Sequence, residues 1–192
     1  MYREGRTKNE KKRTHVVGEK NTQHDAYCEE KLYTHSSLPL SSPGSALTRT
    51  GILAYDYTVL AGTQGGHGHH KADRILETCE RQRLPVVCFC EGGGGRPGDT
   101  EGPLGMGAGL AVTTFATFSR LSGLVPLVGV ASGYCFAGNA AFLGVCDVII
   151  ATQGCNIGMG GPAMIEGGGL GVVAAKDIGP LPEQVRKRVI SV

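Results

Sequence analysis

Apolar residues along the chain fall into short runs separated by charged or glycine-rich segments. Four of these runs have strand length and are rich in β-branched residues: 51–62, 85–90, 126–131 and 147–152. Such runs, bounded by turn-forming residues, are typical of buried strands. The first run is long enough for one or two strands.

The segments between the strands have helical patterns. Ile75, Leu76, Cys79 and Leu84 fall on roughly one face of a helix predicted over 69–84. Further helices are predicted over 108–124, 135–146 and 182–190, with 154–161 as short extended chain or loop. Alternation of strands and helices predicts an α/β fold with a parallel sheet and right-handed crossovers.

The first part of the chain differs from the rest. Residues 1–46 are polar, lack periodicity and include the basic stretch KNEKKR at 8–13. Such a composition does not bury enough apolar surface to fold alone, so we predict a disordered tail before a domain over 47–192. A basic interaction tail is the alternative. Glu4, Glu10 and Glu19 argue against a transit peptide.

Composition excludes several classes of protein. The 192 residues suit one domain, and a net charge of +2 gives no basic footprint for nucleic acid. We see neither an uninterrupted apolar span for a membrane nor an apolar signal core. The seven cysteines, an odd number, indicate reduced thiols. We therefore expect a cytoplasmic protein, with the mitochondrial matrix as the alternative.

Neither cysteine nor histidine spacing predicts a metal site. Cys88 and Cys90 are one residue apart, which suits one face of a strand and not a zinc site. His67, His69 and His70 have no matching carboxylate or cysteine cluster. We predict that these histidines lie partly exposed at a helix start, with phosphate contact as the functional alternative.

Glycine-rich clusters carry the strongest functional signal. They occupy 91–102, 133–144 and 158–171, and each follows a predicted strand. The carboxyl ends of parallel strands meet at one edge of a sheet, so the clusters should lie together. Their backbone N–H groups could bind an anionic oxygen, as consecutive amides or as a helix N-terminus. The alternatives are a flexible loop and close helix–strand packing.

Several collinear motifs make a resemblance specific. The motifs are DYTVLAGTQGGHGHHKADR, LPVVCFCEGGGGRPGDTEG, SGLVPLVGVASGYCFAGNAAFLGVCDVIIAT and NIGMGGPAMIEGGGLG, and the match that they define extends over roughly residues 48–184. They resemble the carboxyltransferase domain of biotin-dependent acyl-CoA carboxylases, such as acetyl-CoA and propionyl-CoA carboxylases. The resemblance implies a crotonase-like (ClpP-type) ββα spiral. The chain would be the N-terminal half of a two-half carboxyltransferase.

The resemblance also implies an activity and a site. The family transfers CO2 from carboxybiotin to the α-carbon of an acyl-CoA, here expected to be acetyl- or propionyl-CoA, through an enolate held by backbone amides. The family's SGGAR-like segment corresponds to GGGGR at 92–96, so the expected amide donors are Gly93, Gly94 and Gly95. The expected acyl-CoA-binding residues are Phe136, Ala137, Gly138, Arg96, Gly160 and Gly161.

The same resemblance defines the expected partners. Biotin would arrive on a biotin carboxyl carrier loaded by a biotin carboxylase, and the active site would form with a complementary carboxyltransferase half in an oligomer. We expect no metal, nucleic acid or membrane partner. The biotin-facing half has no counterpart in this sequence, so we expect the chain to be inactive without it.

Two alternatives stay open at this point. The chain could be an acyl-CoA-binding fragment or pseudoenzyme without turnover. It could also be another crotonase-type enzyme, such as a hydratase or decarboxylase. This hypothesis requires carboxylates that act as general acid and base. The candidates are Glu91, Glu101 and Glu166.

Overall fold

A computed structural model describes residues 49–95 and 112–190. Its strands are β1 (Gly51–Ala54), β2 (Val86–Phe89), β3 (Leu127–Ala131), β4 (Tyr134–Phe136), β5 (Val148–Ala151) and β6 (Asn156–Gly158). A four-stranded sheet has the order β1-β2-β3-β5, and β4 pairs with β6 in a small second sheet. All of these pairings are parallel, which confirms the predicted topology.

Helices connect the strands. They are α1 (Gly66–Gln82), α2 (Thr114–Leu121), α3 (Gly138–Val145), α4 (Pro162–Gly167) and α5 (Leu181–Arg186). Short 3₁₀ turns lie at Leu60–Gly62 and Ala175–Asp177. Together with the parallel sheet, these elements form the mixed α/β architecture that the sequence predicts.

The hydrophobic core lies under one face of the large sheet. Leu53, Val86 and Leu127 are buried there against Phe118 and Phe142 of the helices. On the opposite face, the side chains of Phe89, Val148 and Ile150 are 41%, 53% and 53% exposed. The described residues therefore cover the sheet on one side only, although parallel sheets are usually covered on both.

Side chains from the end of α3 pack against β3 at a glycine, Gly129. A methyl group placed on Gly129 would lie 2.6 Å from Cδ1 of Leu143 and 3.0 Å from Sγ of Cys146. Any larger residue would push α3 away from β3. This contact fixes the height of α3 above the sheet, and its N-terminus then lies beside the loop after β2.

Several predicted boundaries need correction. The first strand ends at Ala54, because a turn and a 3₁₀ turn occupy the rest of 51–62. Helix α1 begins at Gly66, earlier than expected. Cys135 and Phe136 belong to β4 and not to a helix, since the backbone of Ala137 breaks the chain direction between β4 and α3.

The remaining predictions differ mainly at the ends. The final helix spans Leu181–Arg186, so it begins before 182 and ends well before 190. Helix α4 was not predicted, because its glycine-rich sequence has low helix propensity. The predicted tail at 1–46 and the first residues of the helix over 108–124 lie outside the described residues.

Candidate active site

Two glycine-rich segments meet beside the N-terminus of α3. A methyl group placed on Gly94, in the loop after β2, would lie 3.0 Å from the nitrogen of Gly138 and 3.1 Å from the carbonyl oxygen of Phe136. It would also overlap with Cβ of Ala137. Gly94 has a φ of +85°, which side chains rarely tolerate. The close approach of the two segments therefore requires glycine at position 94.

Hydrogen bonds within the protein engage two of the three amides that the sequence singled out. The N–H of Gly93 donates to the carbonyl oxygen of Ala61 at 3.1 Å. The N–H of Gly94 donates to Oδ1 of Asn139 at 2.9 Å. In this structure both hydrogens are therefore engaged within the protein. The N–H of Gly95 donates to no other described residue.

The direction of the Gly95 amide follows from its neighbour. The backbone N–H of Gln64 donates to the carbonyl oxygen of Gly94 at 2.7 Å. In a planar trans peptide, the carbonyl of one residue and the N–H of the next point in opposite directions. The Gly95 N–H therefore points away from Gln64, and the exposure of Gly95 leaves room for an acceptor.

The N-terminus of α3 supplies a second set of amides. Ala137 precedes the helix with φ 50° and ψ −119°, a conformation that is costly for a residue with a side chain. Its own N–H donates to the carbonyl oxygen of Gly158 at 2.9 Å, and its carbonyl accepts from Ala141 at 2.9 Å. The first hydrogen bond of the helix is the one from Ala141 to Ala137. Gly138 lies before Ala141 in the first turn, so its N–H has no acceptor within the helix.

The arrangement is suited to an oxygen that carries negative charge. The Gly95 and Gly138 amides lie on the two segments that converge at Gly94, and the start of α3 adds the positive end of a helix dipole. Backbone donors of this kind stabilise an oxyanion without having to reorganise during the reaction. The geometry therefore favours chemistry in which an oxygen becomes negatively charged.

Gln64 borders this site from the α1 side. Its side chain is buried, with Nε2 3.4 Å from the hydroxyl oxygen of Tyr55. A methyl group placed on Gly138 would overlap with Oε1 of Gln64 and lie 3.2 Å from Cζ of Phe115. Glycine at position 138 thus leaves the start of α3 open between these two side chains.

Aromatic side chains line the opposite side. The rings of Phe136 and Tyr134 are stacked with centroids 5.7 Å apart, and Tyr57 lies 6.4 Å beyond Tyr134. A methyl group placed on Gly161 would lie 3.5 Å from the Phe136 ring, and one on Gly160 would lie 3.3 Å from Sδ of Met164.

Most residues expected to bind acyl-CoA therefore lie in one continuous region. It contains Phe136, Ala137, Gly138, Gly160 and Gly161, which belong to β4, the start of α3 and the segment before α4. Arg96, the remaining one, lies outside the described residues.

Two of the three carboxylates proposed for an acid–base mechanism, Glu91 and Glu166, lie in the part of the chain that the structure describes. Oε1 of Glu91 accepts hydrogen bonds from the backbone N–H of Ser132, at 3.0 Å, and from the Ser132 hydroxyl. Glu91 therefore holds the turn between β3 and β4. Glu166 is exposed on α4, and Glu101 lies outside the described residues.

The three clustered histidines differ in their solvent exposure. His67 and His70 are exposed, whereas His69 is buried, with Nδ1 3.0 Å from Oγ1 of Thr114. Burial lowers the pKa of His69, although the nearby Asp73 carboxylate opposes this. The expectation of a partly exposed cluster is therefore wrong for His69, whose ring packs 5.8 Å from that of Phe115.

The buried thiols of Cys79 and Cys135 are unsuited to nucleophilic catalysis. Burial raises the pKa of Cys79 to about 11 and also raises the pKa of Cys135. A hydrogen bond from Cys90 lowers the pKa of Cys146, whose thiol donates to the carbonyl oxygen of Phe142 at 3.3 Å. The six cysteines of the described ranges are all free thiols.

Two residues at the site escaped the sequence analysis. Asn139 is fully buried, and its carboxamide connects α3 to the loop after β2. Gln64 orients the Gly94 carbonyl through its backbone. The one available signal for Asn139 was a polar residue among small apolar ones in AGNAAFLG, at the start of a predicted buried helix.

The part of the chain that the structure describes contains neither a cluster of metal ligands nor a helix that could span a membrane. Within 49–95 and 112–190, no group of three or more histidine, cysteine, aspartate or glutamate side chains could hold a metal ion. Among the same residues, no helix combines the length and apolar character needed to cross a membrane.

Comparison with known proteins identifies the family of this chain. The profile of the carboxyl transferase domain family matches residues 48–183. The beta4 subunit of a biotin-dependent long chain acyl-coenzyme A carboxylase from Mycobacterium tuberculosis is 32% identical over 111 residues, or 54% of this chain and 19% of the relative. The acetyl-coenzyme A carboxylase carboxyl transferase subunit beta of Opitutus terrae is 30% identical over 116 residues, covering 60% and 39%.

Solved structures show the same fold. A single-chain, multi-domain long-chain acyl-CoA carboxylase is 60% identical, with a TM-score of 0.68 over 74% of this chain and 14% of that one. Transcarboxylase 12S, at 24% identity and a TM-score of 0.59, shares the fold over 74% of this chain. The chain thus spans about a fifth to two fifths of the length of these curated relatives.

The family match covers most of the chain and agrees with the resemblance that the motifs carry. The two curated relatives are subunits of acyl-CoA carboxylases, and the structure with 60% identity is a long-chain acyl-CoA carboxylase. The chain therefore belongs to the carboxyl transferase domain family of biotin-dependent acyl-CoA carboxylases and adopts its crotonase-like fold.

Proposed function

We propose that this chain forms the acyl-CoA side of a carboxyltransferase, and that the amides of Gly95 and Gly138 hold the thioester oxygen as it becomes an enolate. The observation that carries the proposal is the direction of the Gly95 N–H. The bond from Gln64 to the Gly94 carbonyl turns this amide away from Gln64, and the adjacent Gly94 lies against the segment that leads into α3.

The chemistry fits backbone donors. Carboxylation at the α-carbon of a thioester passes through an enolate, whose negative charge resides largely on the thioester oxygen. One such amide donor contributes about 2.7–4 kcal/mol to a transition state of this kind. No nucleophilic side chain is needed, which agrees with the engaged Glu91 and the protonated Cys79 and Cys135.

Carboxybiotin would supply the CO2 when a partner brings it. The described residues present one converging amide site, and the thioester oxygen occupies it in this proposal. We therefore place the biotin site on a complementary carboxyltransferase half, and expect the whole enzyme to be an oligomer that also uses a biotin carrier and a biotin carboxylase. Subunit relatives such as that of Opitutus terrae support this organisation.

We further propose that the acyl group is long. The support is the 60% identity to a long-chain acyl-CoA carboxylase and the relation to the long chain carboxylase subunit of Mycobacterium tuberculosis. The side chains of Met159 and Met164 are exposed and flank Gly160 and Gly161, where they offer apolar surface to such a group. This departs from the acetyl or propionyl group expected from the sequence.

Binding is tested first. The purified chain is titrated calorimetrically with palmitoyl-CoA, propionyl-CoA and acetyl-CoA, and Gly138→Val serves as the disrupted variant. We expect binding that is tightest for palmitoyl-CoA and is lost in Gly138→Val, because valine would overlap with Gln64. Equal affinities for the three acyl-CoAs would contradict the long-chain proposal. If a chain shown to be folded binds none of them, the proposal of an acyl-CoA site is wrong.

Enolate formation is tested without biotin. A 2-carboxyacyl-CoA such as malonyl-CoA loses CO2 when its C–C bond breaks. The electron pair passes to the thioester as an enolate, and water then protonates the α-carbon. We expect the chain to accelerate this decarboxylation. Binding without acceleration would favour an acyl-CoA-binding fragment, the alternative left open by the sequence.

A further inference from the structure

We infer that Asn139 is a positioning residue that sets the geometry of the oxyanion site through its side-chain amide. Its side chain is fully buried at the start of α3, yet every hydrogen bond that it makes goes to the backbone of another segment. This inference rests on the proposed function of the site, which it extends from the donor amides to the group that orients them.

Both ends of the carboxamide act on the loop after β2. Oδ1 accepts the N–H of Gly94 at 2.9 Å, while Nδ2 donates to the carbonyl oxygen of Glu91 at 3.1 Å. The two bonds hold the loop at both of these positions. Nδ2 also lies 3.5 Å from the carbonyl oxygen of Gly62, so the loop after β1 is drawn to the same point.

These bonds determine where the neighbouring amide points. Asn139 fixes the peptide between Gly93 and Gly94, and the backbone of Gln64 fixes the next peptide through the Gly94 carbonyl. With both peptides held, the N–H of Gly95 has a single direction. Asn139 directly follows Gly138 in the chain. Its side chain therefore also fixes the position of the Gly95 amide relative to the second donor, the Gly138 amide.

The neighbouring glycines have no side chain, and this leaves room for the carboxamide of Asn139. A methyl group placed on Gly92 would overlap with Nδ2 of Asn139 and lie 2.8 Å from its Cγ. A methyl group on Gly62 would lie 2.8 Å from the carbonyl oxygen of Glu91. The space at these positions is therefore filled by the asparagine side chain and by backbone, which explains why glycine is required at both.

A fully satisfied buried carboxamide does little for stability beyond what an apolar residue of similar size would do, because its hydrogen bonds replace bonds to water. Its particular property is directionality, since one group presents an acceptor and a donor at a fixed angle. At Asn139 this directionality acts on residues 91 and 94, which precede the donor amide of Gly95 in the same loop.

The test compares Asn139→Ala with Asn156→Ala in the full chain. Asn156 is a matched control: it is also buried, and its Nδ2 donates to the carbonyl oxygens of Lys176 and Ile178 at 2.8 and 2.9 Å, away from the oxyanion loop. Three quantities are measured: hydrogen exchange of the Gly94 amide, kcat and KM for malonyl-CoA decarboxylation, and the free energy of unfolding.

We expect Asn139→Ala to speed exchange at Gly94 by about tenfold or more and to lower kcat about 10- to 100-fold, with KM changed by less than about threefold. Asn156→Ala should lose comparable stability but keep both the Gly94 exchange rate and kcat. Unchanged exchange and kcat in Asn139→Ala, or equal losses of kcat in both variants, would overturn the inference.

A second variant covers the case in which Asn139→Ala fails to fold. Asn139→Asp keeps the acceptor for Gly94, but its ionised form cannot donate to Glu91. Protonation restores that donor, so kcat should recover as the pH falls, with no such recovery in the wild type. A pH profile identical to that of the wild type would contradict the positioning role.

The two proposals fail separately. If the wild-type chain does not decarboxylate malonyl-CoA, the proposed function is wrong. The exchange rate of Gly94 in the variants still decides whether Asn139 orients the loop.

Discussion

The side-chain oxygen of Asn139 accepts the backbone N–H of Gly94 at 2.9 Å, across 45 residues of sequence. This bond joins the start of α3 to the loop after β2, the two segments that present the candidate donor amides. It also removes the Gly94 amide from the set that could bind a ligand. One long-range contact therefore both shapes the site and determines which amide serves it.

Gly94→Ala should abolish enolate stabilisation while leaving the chain folded. The new methyl group would overlap with Cβ of Ala137, and the φ of +85° is strained for alanine, so the loop must move away from α3. Loss of one oriented amide corresponds to a decrease in kcat of about 10²–10³-fold. Malonyl-CoA decarboxylation measures this decrease.

Gly144→Ala is the matched control for that variant. Gly144 lies inside α3, and a methyl group there would meet no atom within 4 Å. Alanine is favoured over glycine in a helix by about 0.5–1 kcal/mol, so this variant should be slightly more stable and equally active. A similar loss of kcat in both variants would show that the effect of Gly94→Ala is not local.

Ala137→Gly should raise the thermal stability of the chain. The φ of 50° and ψ of −119° at Ala137 lie in a region that glycine occupies readily and alanine does not. Relief of about 1–3 kcal/mol of strain outweighs the greater flexibility of glycine in the unfolded chain. Thermal unfolding followed by circular dichroism tests this, and a lower midpoint would mean that Ala137 is not strained.

Acid should destabilise the protein partly through His69. Burial lowers the folded-state pKa below the ordinary value of 6.5, so the unfolded chain binds more protons once the pH falls through that value. The stability that His69 contributes is thus complete above pH 6.5 and is lost below it. The groups nearest its ring are Asp73, His70 and the Thr114 hydroxyl.

Denaturant unfolding at pH 7.5 and 5.5 measures this effect. In His69→Asn, whose amide can still meet Thr114, the free energy of unfolding should fall less on acidification than in the wild type. His67→Asn, at an exposed position of the same helix, should behave like the wild type. An unchanged pH dependence in His69→Asn would show that another group is responsible.

Cys146 should react with iodoacetamide before the other cysteines of the described ranges. It is half-buried, and the hydrogen bond from Cys90 lowers its pKa, whereas burial raises the pKa of Cys79 to about 11. Because the thiolate is the reactive form, modification should follow this order. Peptide mapping by mass spectrometry identifies the modified site.

Substitution of the neighbouring thiol tests the cause of that reactivity. Cys90→Ala removes the donor and should slow modification of Cys146, while Cys79→Ala should leave it unchanged. Equal rates in Cys90→Ala and the wild type would indicate that exposure, and not the hydrogen bond, controls the reactivity.

The local pattern of apolar and polar residues was sufficient to predict the order of the strands and helices. The β-branched runs became β1, β2, β3 and β5, and the amphipathic pattern with Ile75, Leu76 and Cys79 became α1. The alternation also predicted the parallel pairing. These features depend on residues close in sequence, and therefore on periodicities of two and 3.6 residues that can be read directly.

Element boundaries near the site were less predictable. Cys135 and Phe136 belong to a small-residue segment that suits a helix, but β6 pairs with them and makes them a strand. The conformation of Ala137 then starts α3 after them. Pairing between β4 and β6 depends on how the chain returns in space, and no local propensity encodes it.

The sequence by itself determined that glycine-rich loops follow the strands, that they gather at one sheet edge, and that the chain resembles carboxyltransferases. Only the tertiary structure decided which amides remain available, because each N–H is engaged or free according to the acceptor that another segment brings to it. The bonds from Gly93 to Ala61 and from Gly94 to Asn139 join distant parts of the chain. Such acceptors depend on the positions of whole loops, whereas glycine spacing depends only on neighbouring residues.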